Sequence, residues 1–355
     1  MHPVRSRAFG RALLVGAALT ALTVTSVAAQ NIRGLPMNSQ RAEATQRVGL
    51  ADLTVTYHRP GVKERDIWGA LVPYDQVWRA GANENTVFET SHDVTIGGQT
   101  LPAGTYGLHV IPAADGPWTV IFSSDAHAWG SYFYNETNDV LRASVTPEEA
   151  AHEEWMRFQF DNPEANSVVL ALRWATTRVP LTIEVDSTTH TMAYLRQQLQ
   201  SLPGFFWWGY RDAASYAANN DVELEQALEW IDRSIGMQED FTNLAVRAGL
   251  LEKLGKTDEI EAAWAKAMDA GTTRQLINTA YGLIGQEQFT SAHKLLTKAS
   301  EQAPGVWWVW NGLGQVHSGL DQKDEAIAAY EKAIETAGND GQKAQAEAAL
   351  TRLRS

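Results

Sequence analysis

The hydrophobic period of this chain changes once, and that change limits the folds open to it. Leu53, Val55 and Tyr57 alternate with Asp52, Thr54 and Thr56, the period of two expected of a strand with one buried face. Beyond Asp186 the apolar residues recur at helical spacing, first as Met192, Leu195 and Leu199 within residues 189–202, where Pro203-Gly204 stops the run. Two periods in two separate halves predict a two-domain β plus α protein. With 355 residues, 44% of them apolar, each half can bury a core of its own.

Strand candidates follow at residues 86–90, 93–96, 105–111, 118–122, 154–160, 168–174 and 181–185. Gly97-Gly98, Pro102-Ala103-Gly104 and Asp161-Asn162-Pro163 supply turns between them. Many short strands with turn residues between them predict an antiparallel β-sandwich or barrel-like domain over residues 47–186. One exception is expected: Thr146 before Pro147-Glu148-Glu149 has the form of a capped start, so residues 146–151 predict a short helix. Residues 187–204 form the junction helix.

From residue 205 onward the chain repeats itself. Residues 209–236, 242–267, 274–299 and 308–333 each read as two short helices joined by a tight turn. Small residues recur where paired helices must approach, among them Ala227, Ser234, Ala248, Ala267, Ala280, Ala292, Ala299, Gly314, Ala326 and Ala333. This spacing resembles the ~34-residue period of tetratricopeptide repeats. The last unit is clearest, with Trp310, Leu313, Gly314, Ala326, Tyr330 and Ala333 at the positions of that pattern. Ile260 stands where the second unit should have a small residue, and the third unit is expected to need a longer turn around Gly285-Gln286-Glu287. Residues 342–353 read as the polar amphipathic cap of an α-helical tetratricopeptide-like solenoid spanning 205–355.

The N-terminus runs from Arg5, Arg7 and Arg11 through an apolar stretch to Val27-Ala28-Ala29. That order predicts a cleaved signal peptide over residues 1–29 and an exported protein, periplasmic or secreted. Residues 30–46 are polar and read as a flexible tether. The apolar run is shorter than a bilayer crossing requires, and no later segment supplies one, so no membrane span is expected after cleavage. With 29 Lys and Arg against 42 Asp and Glu the chain carries −13, a charge that repels nucleic acid. Without cysteine there are neither disulfides nor thiolate chemistry, and stability must come from packing.

Several separated motifs in the first half support a family resemblance. RPGVKERDIWGALVPYDQVWRAGANENT (59–86), LPAGTYGLHVIP (101–112), PWTVIFS (117–123) and WGSYFY with DVLR (129–142) resemble the bacterial domain of unknown function 2911. The resemblance covers about residues 47–186. It implies the domain boundary and an exported setting, and it brings no catalytic residue with it.

Arg59, Lys63, Arg65 and Arg79 lie close in an otherwise acidic chain, with Asn83 and Glu84 following. Converging cations and amides could hold a small anion or a glycan. The alternative is that they pair with Glu64, Asp66 and Asp75 and pin long loops to the sandwich. Tyr106 shares the face of Leu108 and reads as core, which puts His109 on the opposite face. His127, Trp129, Tyr132 and Tyr134 crowd residues 124–138. These aromatics stack on a ligand or fold back as a plug over the sandwich.

No Gly-x-Ser-x-Gly elbow, phosphate-binding Gly-rich loop or His-Glu-x-x-His motif is present, and the nine histidines lack ligand spacing. No cofactor or metal is implied. The reading that follows is an exported, non-enzymatic binding or scaffold protein: the repeats take a protein or peptide, and the β domain binds a second ligand or docks to the envelope. Asp212, Tyr216, Arg274, Tyr281, Trp308, Asn311 and Gln315 are the residues expected to face the groove of the repeats. The competing reading is an envelope hydrolase acting on glycan or peptide, with its site in the β-domain loops near Lys63, Arg65, Arg79, Glu84 and His127. A structural module without ligand is the third.

Overall fold

The computed structural model describes residues 37–354. The expected signal peptide and the first part of the expected tether lie outside them. Ten strands come first: β1 (Gln40–Val48), β2 (Ala51–Arg59), β3 (Thr86–Thr90), β4 (Val94–Ile96), β5 (Gln99–Leu101), β6 (Gly104–Ile111), β7 (Trp118–Ser123), β8 (Asp139–Val145), β9 (Glu148–Asp161) and β10 (Ser167–Glu184). They form two antiparallel sheets, ordered β1-β2-β3-β6-β7-β8 and β5-β4-β10-β9. The core lies between the sheets, where Tyr57 of β2 meets Phe158 of β9 edge to face at 5.1 Å.

Residues 60–85 have little regular structure and are held by their tryptophans. Trp68 packs against Trp78, Trp118 and Trp174, and Trp78 stacks on Trp174, so this connection closes one part of the sandwich with aromatic surface. Backbone bonds between Trp78 and Val110, both 2.8 Å, fix it to the end of β6.

Two expectations are corrected here. Strand β1 begins at Gln40, inside the stretch read as a tether. It is an edge strand whose partly covered positions Ala42 and Ala44 lean on the core and whose last residue, Val48, is buried in it, while the alternate positions face water. Residues 146–151 do not start a helix, because β9 begins at Glu148. Its first residues pair with β10, Glu148 opposite Arg178, and Arg178 also binds Asp161 at the far end of β9. The acidic residues that suit a helix start serve as ion-pair partners of a neighbouring strand.

The helices are α1 (Ser187–Gln198), α2 (Trp207–Asn219), α3 (Leu224–Met237), α4 (Phe241–Lys253), α5 (Thr257–Ala270), α6 (Thr273–Gly285), α7 (Phe289–Gln302), α8 (Trp307–Gly319), α9 (Lys323–Glu335) and α10 (Asp340–Arg354). From α2 to α9 they form four hairpins, and α10 packs on the last through Ala346 and Leu350. The small residues sit where helices touch: a Cβ on Gly314 would fall 2.7 Å from the Tyr330 ring, so glycine sets the closeness of α8 and α9. The turn of the third hairpin is no longer than those of the second and fourth, because α6 continues through Gly285. Asp240 and Thr272 cap α4 and α6 through reciprocal capping boxes.

Candidate functional site

The first helices of successive hairpins line a groove of about 410 Å³. Arg211 and Ser215 of α2, Val246 and Lys253 of α4, and Thr279 and Gln286 of α6 border it. Gly249 and Gly282 form open floor, since a Cβ on either would meet nothing within 4 Å. Lys253 is held in place by Asp221 and by the Ala218 carbonyl, 2.7 Å from its Nζ.

A second cavity, about 870 Å³, opens between α6 and the start of α8 and is lined by Arg274, Ile277, Asn278, Tyr281, Val306 and Trp308, among others. Tyr281 and Trp308 meet edge to face at 5.7 Å, and the Trp308 indole is 50% exposed. Burial pushes the Tyr281 phenol up to about 12 even though Asn311 donates to it, so it is protonated at neutral pH. Arg274 has no carboxylate partner among the described residues.

Of the seven residues expected to face the groove, Arg274, Tyr281 and Trp308 line this second cavity. Asp212 and Tyr216 do not border the first one; their neighbours Arg211 and Ser215 do, a slip of one position that turns a helical side chain by about 100°. Asp212 pairs with Arg211, and Tyr216 packs against the core of the first hairpin. Asn311 is 2% exposed and holds Tyr281, while Gln315 is half-buried on α8 and lines neither cavity.

The β-domain residues divide into separate places. Arg59 donates to the Met156 carbonyl at 2.9 Å, Arg65 to the carbonyls of Gly61 and Val62, and the Lys63 ammonium lies 5.9 Å from the Trp155 ring. Arg59 and Lys63 thus fasten residues 59–65 to β9, and Arg65 closes the turn on itself. Arg79 donates to the Asn83 carbonyl at 2.6 Å and lies over the Tyr132 ring, and Asn83 reaches the Ser39 carbonyl. Glu84 faces His58 at 3.2 Å, whereas His127 and Trp129 are exposed on the loop before β8. The set does not converge on one pocket: Arg59 lines one small cavity with Trp155, and Arg79 another with Ser131. The hydrolase site expected from Lys63, Arg65, Arg79, Glu84 and His127 is therefore not assembled, because Lys63 lies on an indole face, Arg65 and Arg79 donate to backbone carbonyls, and His127 sits exposed on a different loop.

The loop of residues 124–138 folds over the outer face of the larger sheet. Strand alternation puts His109 on that face, and the loop buries it to 2% exposure. Its Nδ1 lies 3.0 Å from Ser131 Oγ, and its ring meets Tyr134 edge to face. Burial pulls the imidazole down to about 4, against the opposing pull of Asp139 and Asp125. Tyr134 donates to Asp139 at 2.7 Å, Arg142 holds both, and burial with the Asp139 bond raises the phenol to about 12. Asn85, 4% exposed, donates to the carbonyls of Asp125 and Ala126, leaving its own Oδ1 without a partner. Sequence reading passed over Ser131, and it placed Asn85 only as a polar neighbour of Asn83 and Glu84. The parity of His109 was the one signal pointing to this face.

Residues 39–183 match the family model described as a protein of unknown function, DUF2911, and residues 283–353 match a tetratricopeptide repeat model. No curated protein matches the chain. Among solved structures, YrrB, titled a TPR protein with an unusual peptide-binding site, is 15% identical with a TM-score of 0.28, over 45% of this chain and 83% of its own. MamA from Desulfovibrio magneticus RS-1 is 17% identical with a TM-score of 0.26, over 41% and 91%. PilF of Pseudomonas aeruginosa is 18% identical with a TM-score of 0.29, over 41% and 67%. Likenesses of this size carry no argument about function.

Proposed function

We propose that this chain, a DUF2911 domain joined to tetratricopeptide repeats, is an exported binding or scaffold protein whose repeats hold an extended peptide segment of a partner. The observation that carries the reading is the cavity between α6 and α8. A half-exposed indole, a half-buried phenol and an arginine without a carboxylate partner among the described residues border one open space. Aromatic anchors beside a directed cation concentrate binding energy in few residues. The ligand suited to it places an apolar side chain against Trp308 and a carboxylate against Arg274. The groove bordered by Arg211 and Lys253 extends the contact along the array. Under this reading the β domain docks to the envelope or holds a second ligand. Export rests on the basic, apolar and small-residue order of residues 1–29, and mass spectrometry of the native protein should find Gln30 at its N-terminus.

The test is selection of peptides from a random decapeptide library on the immobilised chain, followed by calorimetry of the selected sequences. Trp308→Ala and Arg274→Ala should each weaken binding tenfold or more with the melting temperature held. Peptides that bind both variants as well as the parent would place the ligand elsewhere, and a library that yields none would remove the peptide-binding reading.

A further inference from the structure

We propose that Ser131 and His109 form a nucleophile and base for acyl transfer from small carboxylic esters, with Arg79 lining the pocket. This activity belongs to the β domain and does not rest on the peptide-binding reading.

The hydroxyl of Ser131 has two neighbourhoods. On one side it lies 3.0 Å from Nδ1 of the buried His109, and on the other it borders an open pocket of about 220 Å³ with Val77, Trp78, Arg79 and Tyr132. Gly130 makes this placement possible. Its φ is +60°, and a Cβ there would run into the Arg79 guanidinium, so the loop lies directly on Arg79 and presents the next residue to the pocket.

Burial keeps the imidazole unprotonated at neutral pH, and in the tautomer that carries its proton on Nε2 the Nδ1 accepts from the serine hydroxyl. That proton calls for an acceptor. A Cβ on Gly107 would lie 3.2 Å from Asn85 Nδ2 and 3.3 Å from His109 Nε2, so the amide and the ring flank one point above a residue that has no side chain. The two bonds from Asn85 Nδ2 to the loop carbonyls fix the amide, and its Oδ1 is buried without a hydrogen-bond partner. Nucleophile and base thus stand within hydrogen-bond reach of each other, as acyl transfer requires.

In the reaction Ser131 Oγ attacks the ester carbonyl carbon while its proton passes to His109 Nδ1. The carbon–oxygen bond to the alcohol breaks, and the departing alkoxide takes that proton. Water then cleaves the acyl-serine by the same route and releases the carboxylic acid. Arg79 donates through Nη1 to the Asn83 carbonyl and lies over the Tyr132 ring, but has no carboxylate partner among the described residues, so its charge is not neutralised and can face the negative charge developing on the carbonyl oxygen. The small pocket suits short acyl groups.

The test uses the full chain with a fluorophosphonate probe and p-nitrophenyl acetate. Expected are a single adduct on Ser131 by peptide mass spectrometry, its loss in Ser131→Ala with the native circular dichroism kept, and labelling slowed about 10²-fold or more in His109→Asn. The labelling rate should stay level from pH 5.5 to 8, because the base is unprotonated throughout. Asn85→Asp sets a carboxylate beside Nε2 and should introduce an inflection into that range, which a residue with only a structural role would not do. No adduct on Ser131, ester cleavage unchanged in Ser131→Ala, or a parent rate rising with a midpoint near pH 6.5 would each overturn the proposal. The serine variant keeps the test decisive even if His109→Asn fails to fold.

Discussion

The hydroxyl of Tyr281 donates to the main-chain carbonyl of Trp308 at 2.9 Å and so ties α6 to the first turn of α8. The same oxygen accepts from the buried amide of Asn311 at 3.0 Å. One side chain therefore walls the aromatic cavity and joins two repeats. Tyr281→Phe keeps the ring and leaves both partners unfilled, so unfolding in urea should show a loss of about 1–3 kcal/mol. A variant as stable as the parent would mean that water takes over both bonds and that the tyrosine is held by packing alone.

In the β domain, Trp174 is 1% exposed, with Trp78 stacked on it at 5.8 Å and Trp68 against it edge to face. Its indole Nε1 has no hydrogen-bond partner, so its worth lies in packing. Trp174→Ala should cost about 3–5 kcal/mol and erase part of the near-ultraviolet dichroism, and Trp174→Phe should cost clearly less. Similar losses for the two would assign the energy to a bond of the indole nitrogen instead.

His109 also makes stability depend on pH. Its folded value, about 4, lies below the ordinary 6.5, so in the interval between them the unfolded chain binds the proton and the native one does not. Stability is complete above pH 6.5 and declines as pH falls toward 4, by at most about 3 kcal/mol from this residue. Denaturant melts of the parent should show that decline, and His109→Gln should flatten it. An equal decline in both would assign the acid sensitivity to other groups.

Where neighbours along the chain decide the outcome, the sequence was legible. Alternation separated the core residues Tyr106 and Leu108 from the outward His109, and the recurrence of small residues marked the hairpins. Partners distant along the chain were not legible. Strand β1 offers Ala42, Ala44 and, at its end, Val48 to the core, too little for a periodic signal, and it is a strand because β2 pairs with it from Gln40 to Val48. The start of β9 carries helix-start residues and is extended because β10 lies beside it. Ser131, Asn85 and His109 meet through a loop path that no local pattern encodes, and the groove-facing positions of α2 shift by one because neighbouring repeats decide which side is concave.

The junction between the two parts yields the last prediction. Gly49, at the tip of the β1–β2 hairpin, has a φ of +57°, and a Cβ there would overlap the Ser187 side chain at the start of α1. Nearby, the rings of His92 and His190 lie 4.7 Å apart. Apart from such contacts the cores are separate, since the residues buried between the sheets and those buried between α1, α2 and α3 form distinct clusters. Residues 37–186 and 187–354, expressed apart, should each fold, with strand and helix circular dichroism respectively. Gly49→Ala then distinguishes strain from contact. In the isolated β fragment it carries only the left-handed backbone penalty, roughly 1–2 kcal/mol. In the full chain the new methyl must also displace Ser187, and the loss on denaturation should be larger. Equal losses in the two settings would mean that the hairpin tip and α1 do not bear on each other, and aggregation of both fragments would make the chain one inseparable unit.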